Sequence, residues 1–296
     1  MNAPTPRARI VILHHERQPK EDQEFFLLAW VAKLWSEDGY EVHHLYGTQQ
    51  RIEADLAFLH VDVSVVPDEY LRFVERYPKS VNLALRDIRK RNVSDNLVGP
   101  ADDYDGPVIV KTDLNHGGTP EVLVGAKSEP PPMSRMERIK RRIGLKDPMR
   151  MRGPADYLIY ERKSKVPGHV FDNQALVVER FLPEQHGDEY YHRRYLFLGD
   201  AERNDVWATT MAINASDREG DRTWTEPVPA ELRARRRSFG ADYGKIDYVI
   251  RDGQIEIFDI NRTPTGTVMD EDPVDAQWAR DTTDALADGI KTWLSG

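Results

Sequence analysis

The sequence contains no cysteine in its 296 residues. This absence excludes disulfides, thiolate metal sites and cysteine nucleophiles. Any bound metal must therefore take its ligands from carboxylates, amides and histidines. Carboxylate and amide oxygens suit hard cations such as Mg²⁺.

The chain also lacks a long apolar run, and no stretch approaches the ~18 consecutive apolar residues of a membrane-spanning helix. Its N-terminus passes into a strand-like segment without the apolar region of a signal peptide. We therefore expect a soluble cytoplasmic protein with no membrane partner. A hydrophobic content of 40% suffices to fill the core of one large domain or of several smaller ones.

Basic residues are also fewer than acidic ones, 41 against 50, which gives a formal net charge of −9. Nucleic-acid binding needs a basic surface that displaces counterions, so this charge argues against a nucleic-acid partner. A small-molecule partner is favoured instead. The composition leaves the oligomeric state open, a homodimer included.

The first third of the chain alternates strand and helix patterns. Apolar runs predict strands over residues 8–15, 41–46, 54–62 and 80–85, and helical spacing predicts helices over 24–40 and 67–77. Repetition of this kind indicates a mainly parallel sheet with helices on its faces. We predict an α/β domain with a Rossmann-like parallel sheet over residues 1–85.

Further strands are predicted over residues 107–111, 175–183, 190–200 and 205–214, and an amphipathic helix over 276–294. A proline cluster in the middle of the chain marks a linker, and the apolar spacing from Met133 to Ile143 predicts a short basic amphipathic helix. The basic segment 135–165 is either a solvated helix face or a lid over an anionic ligand.

The segment from Ile246 to Thr265 reads as two strands and a turn that carry Asp247, Asp259 and Asn261. Side chains alternate along a strand, so Asp259 and Asn261 project to one face. A two-residue turn at Asp252-Gly253 would place Asp247 on the other face. A three-residue loop that also includes Arg251 shifts the register by one and brings Asp247 to the same face. We predict that loop or another of odd length.

Two carboxylates and one amide on a single face favour a bound cation, and Mg²⁺ held jointly with phosphates fits this ligand set. The alternative is a surface hairpin with solvated acids. Lys111 favours the metal site, because it ends a buried strand and is followed by Gly117 and Gly118, whose backbone N–H groups can approach phosphate. Alone, this pattern is more typical of a solvated strand end, and it lacks the spacing of a P-loop.

Taken in order, four segments resemble the ATP-grasp superfamily: VIVKTDLNHGG, LVVERFLP, YHRRYLFLGD and KIDYVIRDGQIEIFDINRTP. The resemblance covers most of the chain. It implies ATP bound between two α+β subdomains, which we assign to residues 86–178 and 179–296. It also implies an ATP-dependent carboxylate-amine ligase: a small-molecule carboxylate is phosphorylated to an acylphosphate, which an amine or another nucleophile attacks, and ADP and phosphate are released.

The resemblance also implies roles for single positions. Those that match nucleotide-binding residues are Lys90, Lys111, Gly117, Gly118, the adenine hinge of Glu179, Arg180, Phe181 and Leu182, and a ribose acid that is either Glu184 or Glu189. Those that match ligands of Mg²⁺, with Mn²⁺ as an alternative ion, are Asp247, Asp259 and Asn261. Arg194 matches an arginine near the transferred phosphoryl group. Lys245 stands where several relatives have arginine, and it keeps the charge but loses the planar bidentate fork.

Substrate contacts are predicted at two places. His60 lies near a strand end of the first domain, where α/β folds often bind ligands, and the alternative is a partly exposed histidine with no ligand. Arg262, Thr263 and Thr265 follow the ligand strand, where they either grip a substrate carboxylate or cap the loop.

Two other functions fit the same sequence. One is a small-molecule kinase on the same scaffold, in which a hydroxyl group takes the γ-phosphoryl group and no acylphosphate forms. The other is a nucleotide-binding module without turnover.

Overall fold

The computed structural model describes residues 6–128, 134–136, 138, 151, 156–213, 222–266 and 273–294. Its strands are β1 (Arg9–His14), β2 (Glu41–Tyr46), β3 (Leu56–Leu59), β4 (Ser80–Val81), β5 (Val108–Thr112), β6 (Leu158–Tyr160), β7 (Leu176–Arg180), β8 (Glu184–His186), β9 (Glu189–Leu198), β10 (Ala201–Thr209), β11 (Arg222–Thr225), β12 (Tyr243–Arg251) and β13 (Gln254–Asn261). Its helices are α1 (Leu27–Glu37), α2 (Asp68–Val74), α3 (Lys90–Val93), α4 (Thr119–Leu123), α5 (Gly168–Phe171), α6 (Ala230–Ser238), α7 (Pro273–Ala287) and α8 (Lys291–Leu294). Across the described ranges, none of the helices has the length and apolar character needed to span a bilayer.

The N-terminal strands form a four-stranded parallel sheet in the order β2-β1-β3-β4. Alternate residues of β1 enter two cores: Ile10 and Ile12 pack with α1 and α7, and Val11 and Leu13 pack with α2. The predicted parallel sheet with helices on both faces is confirmed. The fourth strand is shorter than predicted, because Asn82 adopts a left-handed conformation with φ 67° that ends it.

A six-stranded antiparallel sheet follows, in the order β11-β10-β9-β12-β13, with β8 paired to β9. One face, including Tyr195, Tyr248 and Ile257, is buried together with Leu232 of α6. On the other face, Leu196 and other apolar residues join the core of the N-terminal sheet, which leaves the polar part of that face uncovered by this core.

A three-stranded antiparallel sheet, β6-β5-β7, lies between these two in sequence, and its valines pack with α5. Most of the predicted basic helix between Met133 and Ile143 lies outside the described residues. The domain boundaries at residues 85 and 178 stay predictions.

Candidate nucleotide and metal site

A row of directly opposed polar residues crosses the six-stranded sheet. Asp259 of β13 lies opposite Asp247 of β12, Asp247 lies opposite Arg194 of β9, and Arg194 lies opposite Asp205 of β10. Opposed residues of neighbouring strands project to the same face of a sheet. Asp247 and Asp259 are therefore neighbours on one face of the sheet, with Arg194 beside them.

The feature that aligns them differs from the predicted one. The turn consists of Asp252 and Gly253 alone, with φ of 52° and 78°, because Arg251 pairs directly with Gln254. The predicted three-residue loop is wrong, since Asp-Gly readily takes the left-handed conformations of a two-residue turn. The register shifts instead at a bulge, where Asp247 pairs with Asp259 but Tyr248 pairs with Ile257, so that Phe258 is the extra residue.

This polar face borders a cavity of about 340 Å³, with the β5–β7 sheet contributing to the lining. Its volume lies in the range of small-molecule sites, ~300–1,000 Å³. The residues predicted from sequence that line it are Lys90, Lys111, Arg180, Phe181, Leu182, Glu184, Arg194, Lys245, Asp247, Asp259 and Asn261. The predicted residues outside its lining are Gly117, Gly118, Glu179, Glu189, His60, Arg262, Thr263 and Thr265.

Three lysines of the site each face a carboxylate. Lys111 Nζ lies 2.6 Å from Glu179 Oε2, and Lys245 Nζ lies 2.9 Å from Asp247 Oδ2. Lys90 Nζ lies 3.5 Å from Asp259 Oδ2. Each of these lysines is therefore paired with a carboxylate. When an anionic ligand carries a metal, the anion can bind the lysines and the metal can bind the carboxylates.

Lys90 is the most buried of these lysines, with a side-chain exposure of 4%. Burial alone would lower its pKa, but the negative charges of Asp259 and Glu179 outweigh burial and raise the pKa above its usual value. Lys90 is thus a fixed positive charge on the floor of the cavity. Lys111 lies over the ring of Phe258, with Nζ 4.9 Å from the ring centroid, so the bulged residue supports a second cation.

The acidic pair supplies the oxygen ligands that a cation site requires. Asp259 Oδ1 is buried and has no hydrogen-bond partner among the described residues. Asp247 provides a second carboxylate directly opposite, and Asn261 lines the same cavity. Across the described ranges, no cluster of three or more His, Asp or Glu side chains has a metal-binding arrangement. The oxygen set of two carboxylates and one amide is suited to a hard cation that shares its remaining positions with phosphate oxygens.

Arg194 is positioned by packing and by charge. Its guanidinium lies 4.6 Å from the centroid of Trp207, and Asp247 and Asp205 flank it on the neighbouring strands. Burial raises the pKa of Asp205, while the nearby Arg203 acts in the opposite direction. Arg194 is therefore held on the cavity wall beside the acidic pair.

Two backbone N–H groups of the predicted adenine hinge already donate to carbonyl groups of the protein. The backbone N–H of Arg180 donates to Asn96 O at 2.7 Å, and that of Phe181 donates to Pro107 O at 2.9 Å. The N–H of Leu182 has no acceptor within the described part of the chain, and Leu182 lines the cavity. Glu179 is fully buried and its carboxylate faces Lys111, and its predicted adenine contact stays a prediction.

Neither predicted ribose acid is open to a ligand. Glu184 lines the cavity, but Arg193 holds it with Nε and Nη2 at 2.8 Å each, and the Ile250 N–H donates to it at 2.8 Å. Burial opposes ionisation, yet these bonds lower the pKa of Glu184. Glu189 lies outside the cavity lining and pairs with Arg222 at 2.6 Å. Ion pairs occupy both carboxylates in the protein, and the assignment of either acid to a ribose stays a prediction.

The glycine loop folds as a 3-10 turn over Asn115–Gly118. Gly117 and Gly118 are buried in left-handed conformations, and Asn115 and His116 line the cavity in their place. The sequence does not identify these two residues as part of the site, although they lie in the same motif, because a loop motif does not show which of its residues face inward. His116 itself has φ 44°, uncommon for a residue with a side chain.

The four predicted substrate residues lie elsewhere. His60 is buried among aromatic rings, and burial together with the nearby His44 lowers its pKa to about 3. Arg262 is also fully buried, which lowers its pKa to about 10, and its Nη2 donates to Ser64 O at 3.2 Å. Thr263 bonds to Asp62, and the exposed Thr265 pairs through its backbone with Phe26. The guanidinium of Arg262 has no exposed surface, and its predicted contact with a substrate carboxylate stays a prediction.

Comparison with known proteins gives matches among solved structures only. No protein-family model matches the chain, and no curated protein matches it. It is similar to a D-alanine–D-alanine ligase from Bacillus anthracis, with 14% identity over 97% of both chains and a TM-score of 0.49. A RimK domain protein ATP-grasp from Sphaerobacter thermophilus DSM 20745 has 13% identity, covers 95% of this chain and 99% of its own, and gives a TM-score of 0.44.

A third similar structure is the macrocyclase MdnC from Microcystis aeruginosa MRC, bound with the precursor peptide MdnA. It has 10% identity, covers 93% of this chain and 99% of its own, and gives a TM-score of 0.40. Similarities at this level assign no activity.

Proposed function

We propose that the protein is an ATP-grasp enzyme that uses ATP to activate a small-molecule carboxylate and joins it to an amine. The single observation that carries this proposal is the alignment of Asp259, Asp247 and Arg194 across the sheet, on the wall of a cavity that also holds Lys90 and Lys111. Phosphoryl transfer depends mainly on positioning and on cancelling charge, and these groups supply both.

The nucleotide is proposed to lie with its base at Leu182, whose N–H has no acceptor among the described residues, and with its phosphates toward Lys111 and Lys90. Asp247, Asp259 and Asn261 would hold Mg²⁺, which when bound supplies charge neutralisation to the phosphate oxygens. The lysines then exchange their carboxylate partners for phosphate oxygens.

In the proposed reaction, a carboxylate oxygen of the substrate attacks the γ-phosphorus while the bond from that phosphorus to the leaving ADP oxygen breaks. Arg194 and Lys245 balance the negative charge on the transferred group. The amine then attacks the acyl carbon of the acylphosphate, inorganic phosphate leaves, and the amine loses a proton. The ammonium of Lys245 stabilises an oxyanion as a point charge, without the bidentate geometry of arginine.

Trapping with hydroxylamine tests the proposed acylphosphate. In a panel of metabolite acids crossed with amines and screened for phosphate release, the active acid is expected to give a hydroxamate when hydroxylamine replaces the amine. Phosphorylated product without hydroxamate would identify a kinase that acts on hydroxyl groups. ATP binding without turnover over the whole panel would identify a nucleotide-binding module.

A substitution ties the activity to the site. Asp259→Ala is expected to abolish turnover, because it removes the buried carboxylate of the proposed metal site. Asp188→Ala, at an exposed acid in the turn between β8 and β9, is the matched control and should retain activity. Full activity of Asp259→Ala at saturating Mg²⁺ would contradict the proposed metal site.

A further inference from the structure

Thr263 lies just after β13 and contacts the side chain of Asn261. Its backbone N–H donates to Asn261 Oδ1 at 2.9 Å. Its hydroxyl oxygen lies 2.6 Å from Asp62 Oδ1 and 3.2 Å from Asn261 Oδ1. Thr263 and Asn261 are both buried, at 1% and 5% exposure, so these contacts are shielded from solvent competition.

The hydrogen-bonding capacity of these groups limits the arrangement. A threonine hydroxyl has one hydrogen, and the shorter contact to a carboxylate takes it. Asn261 Oδ1 accepts the backbone N–H, which uses one of its two lone pairs and leaves the other available. Asp62 thus fixes Thr263, and Thr263 fixes the plane and the direction of the Asn261 amide.

Asp62 belongs to the loop that follows β3, and the same loop is held on several sides. The Ser64 N–H donates to Glu121 Oε1 at 2.7 Å, and the Asn115 N–H donates to Ser64 Oγ at 2.9 Å. The Ile88 N–H and Arg262 Nη2 both donate to Ser64 O, at 2.8 and 3.2 Å. The loop is therefore a rigid support that joins the N-terminal sheet to the glycine loop and to the end of β13.

We propose that Asp62 and Thr263 are positioning residues, which hold the amide oxygen of Asn261 in the orientation needed to bind a divalent cation with nucleotide. Asp62, which follows β3 of the N-terminal sheet, then contributes to the proposed metal site through Thr263. The proposal rests on the proposed function, because it assumes that Asn261 is a ligand. Residues that orient metal ligands typically change affinity by ~10–100-fold when they are replaced.

The test measures binding of Mn²⁺ in the presence of ADP, with free Mn²⁺ followed by electron paramagnetic resonance. Thr263→Val removes the hydroxyl donor and keeps the backbone N–H, and it is expected to weaken Mn²⁺ binding about tenfold or more. Thr263→Ser restores the donor and should return the affinity to within threefold of the parent protein. Thr283→Val is the matched control, because Thr283 is a buried threonine whose hydroxyl donates to a backbone carbonyl, Ala279 O at 2.6 Å, in α7.

A second variant keeps the test decisive if Thr263→Val does not fold. Asp62→Ala removes the acceptor and should weaken Mn²⁺ binding to a similar degree, and the double variant should be no weaker than either single one, because both remove the same contact. Mn²⁺ affinity within twofold of the parent in Asp62→Ala or in folded Thr263→Val overturns the positioning role. Absence of Mn²⁺ binding in the parent protein with ADP would instead refute the proposed function.

Discussion

The side chains of the candidate site differ most in how far their charges are removed from water. The Lys90–Asp259 pair is largely buried, whereas Lys245 and Asp247 are exposed by 24% and 33%. Removing one partner of a buried pair leaves an uncompensated charge, while a more exposed pair can exchange its partner for water. The two acids that we assign to the metal should therefore differ in their effect on stability.

We expect Asp259→Asn to lower the free energy of unfolding by about 3 kcal/mol, because it leaves the ammonium of Lys90 buried without its closest counter-charge. Asp247→Asn is the paired comparison, with an expected loss of less than about 1 kcal/mol. Urea denaturation of both variants measures the difference. Equal losses would show that Lys90 does not depend on Asp259.

At the scale of one element, the β12–β13 hairpin separates its turn from its ligands. The turn at Asp252 and Gly253 lies at the end of a regular ladder from Tyr248 to Arg251, and the bulge at Phe258 resets the register before Asp259. We therefore expect a change in the turn to leave the positions of the acidic pair unchanged.

Gly253→Ala tests this separation. Gly253 has φ 78° and open space around its Cβ position, so the cost is the left-handed backbone alone, about 1 kcal/mol. Gly253→Asn should cost less, because asparagine tolerates this conformation. Urea denaturation gives both values, and nucleotide affinity should not change in either variant. A loss of nucleotide binding in Gly253→Ala would mean that the turn, and not the bulge, sets the register of the ligands.

For the molecule as a whole, the candidate site takes its residues from separate sheets, which the proposed nucleotide would bridge. Lys111 comes from the β6-β5-β7 sheet, and the acidic pair comes from the six-stranded sheet. Both sides already hold an ion-pair partner. A cation alone meets acids that lysines neutralise, and a nucleotide alone meets lysines that acids neutralise, so each is expected to bind poorly without the other.

We therefore expect Mg²⁺ and ADP together to raise the midpoint of thermal unfolding by more than the sum of their separate effects. At a ligand concentration of about 100 times Kd, the combined stabilisation should reach ~2.7 kcal/mol. In Lys245→Met, Asp247 is freed from its lysine, so Mg²⁺ alone should bind more tightly than in the parent protein. Additive shifts in the parent protein would contradict the exchange of partners.

Much of the fold follows from local pattern. The strands at Arg9–His14 and Glu41–Tyr46 lie close to their predicted bounds, because each is an uninterrupted β-forming run followed by a change of pattern. The fourth strand is shorter than its pattern predicts, since its end depends on Asn82. The side-chain oxygen of Asn82 accepts hydrogen bonds from the backbone N–H groups of Asp242 and Tyr243, far along the chain. Periodicity over a few residues contains no information about such a partner.

The sequence by itself determined which groups are suited to the site: two acids and an amide at strand spacing, and a lysine at the end of a buried strand. Side-chain chemistry and strand alternation are local properties, so they can be read without a fold. Only the tertiary structure decided how each predicted side chain is buried and which groups it pairs with. Arg262 is bound to Ser64, 198 positions away, and Glu184 is held by Arg193 and the N–H of Ile250. Burial and ion pairing depend on contacts between distant segments, and the bulge at Phe258 is defined only by the partner strand.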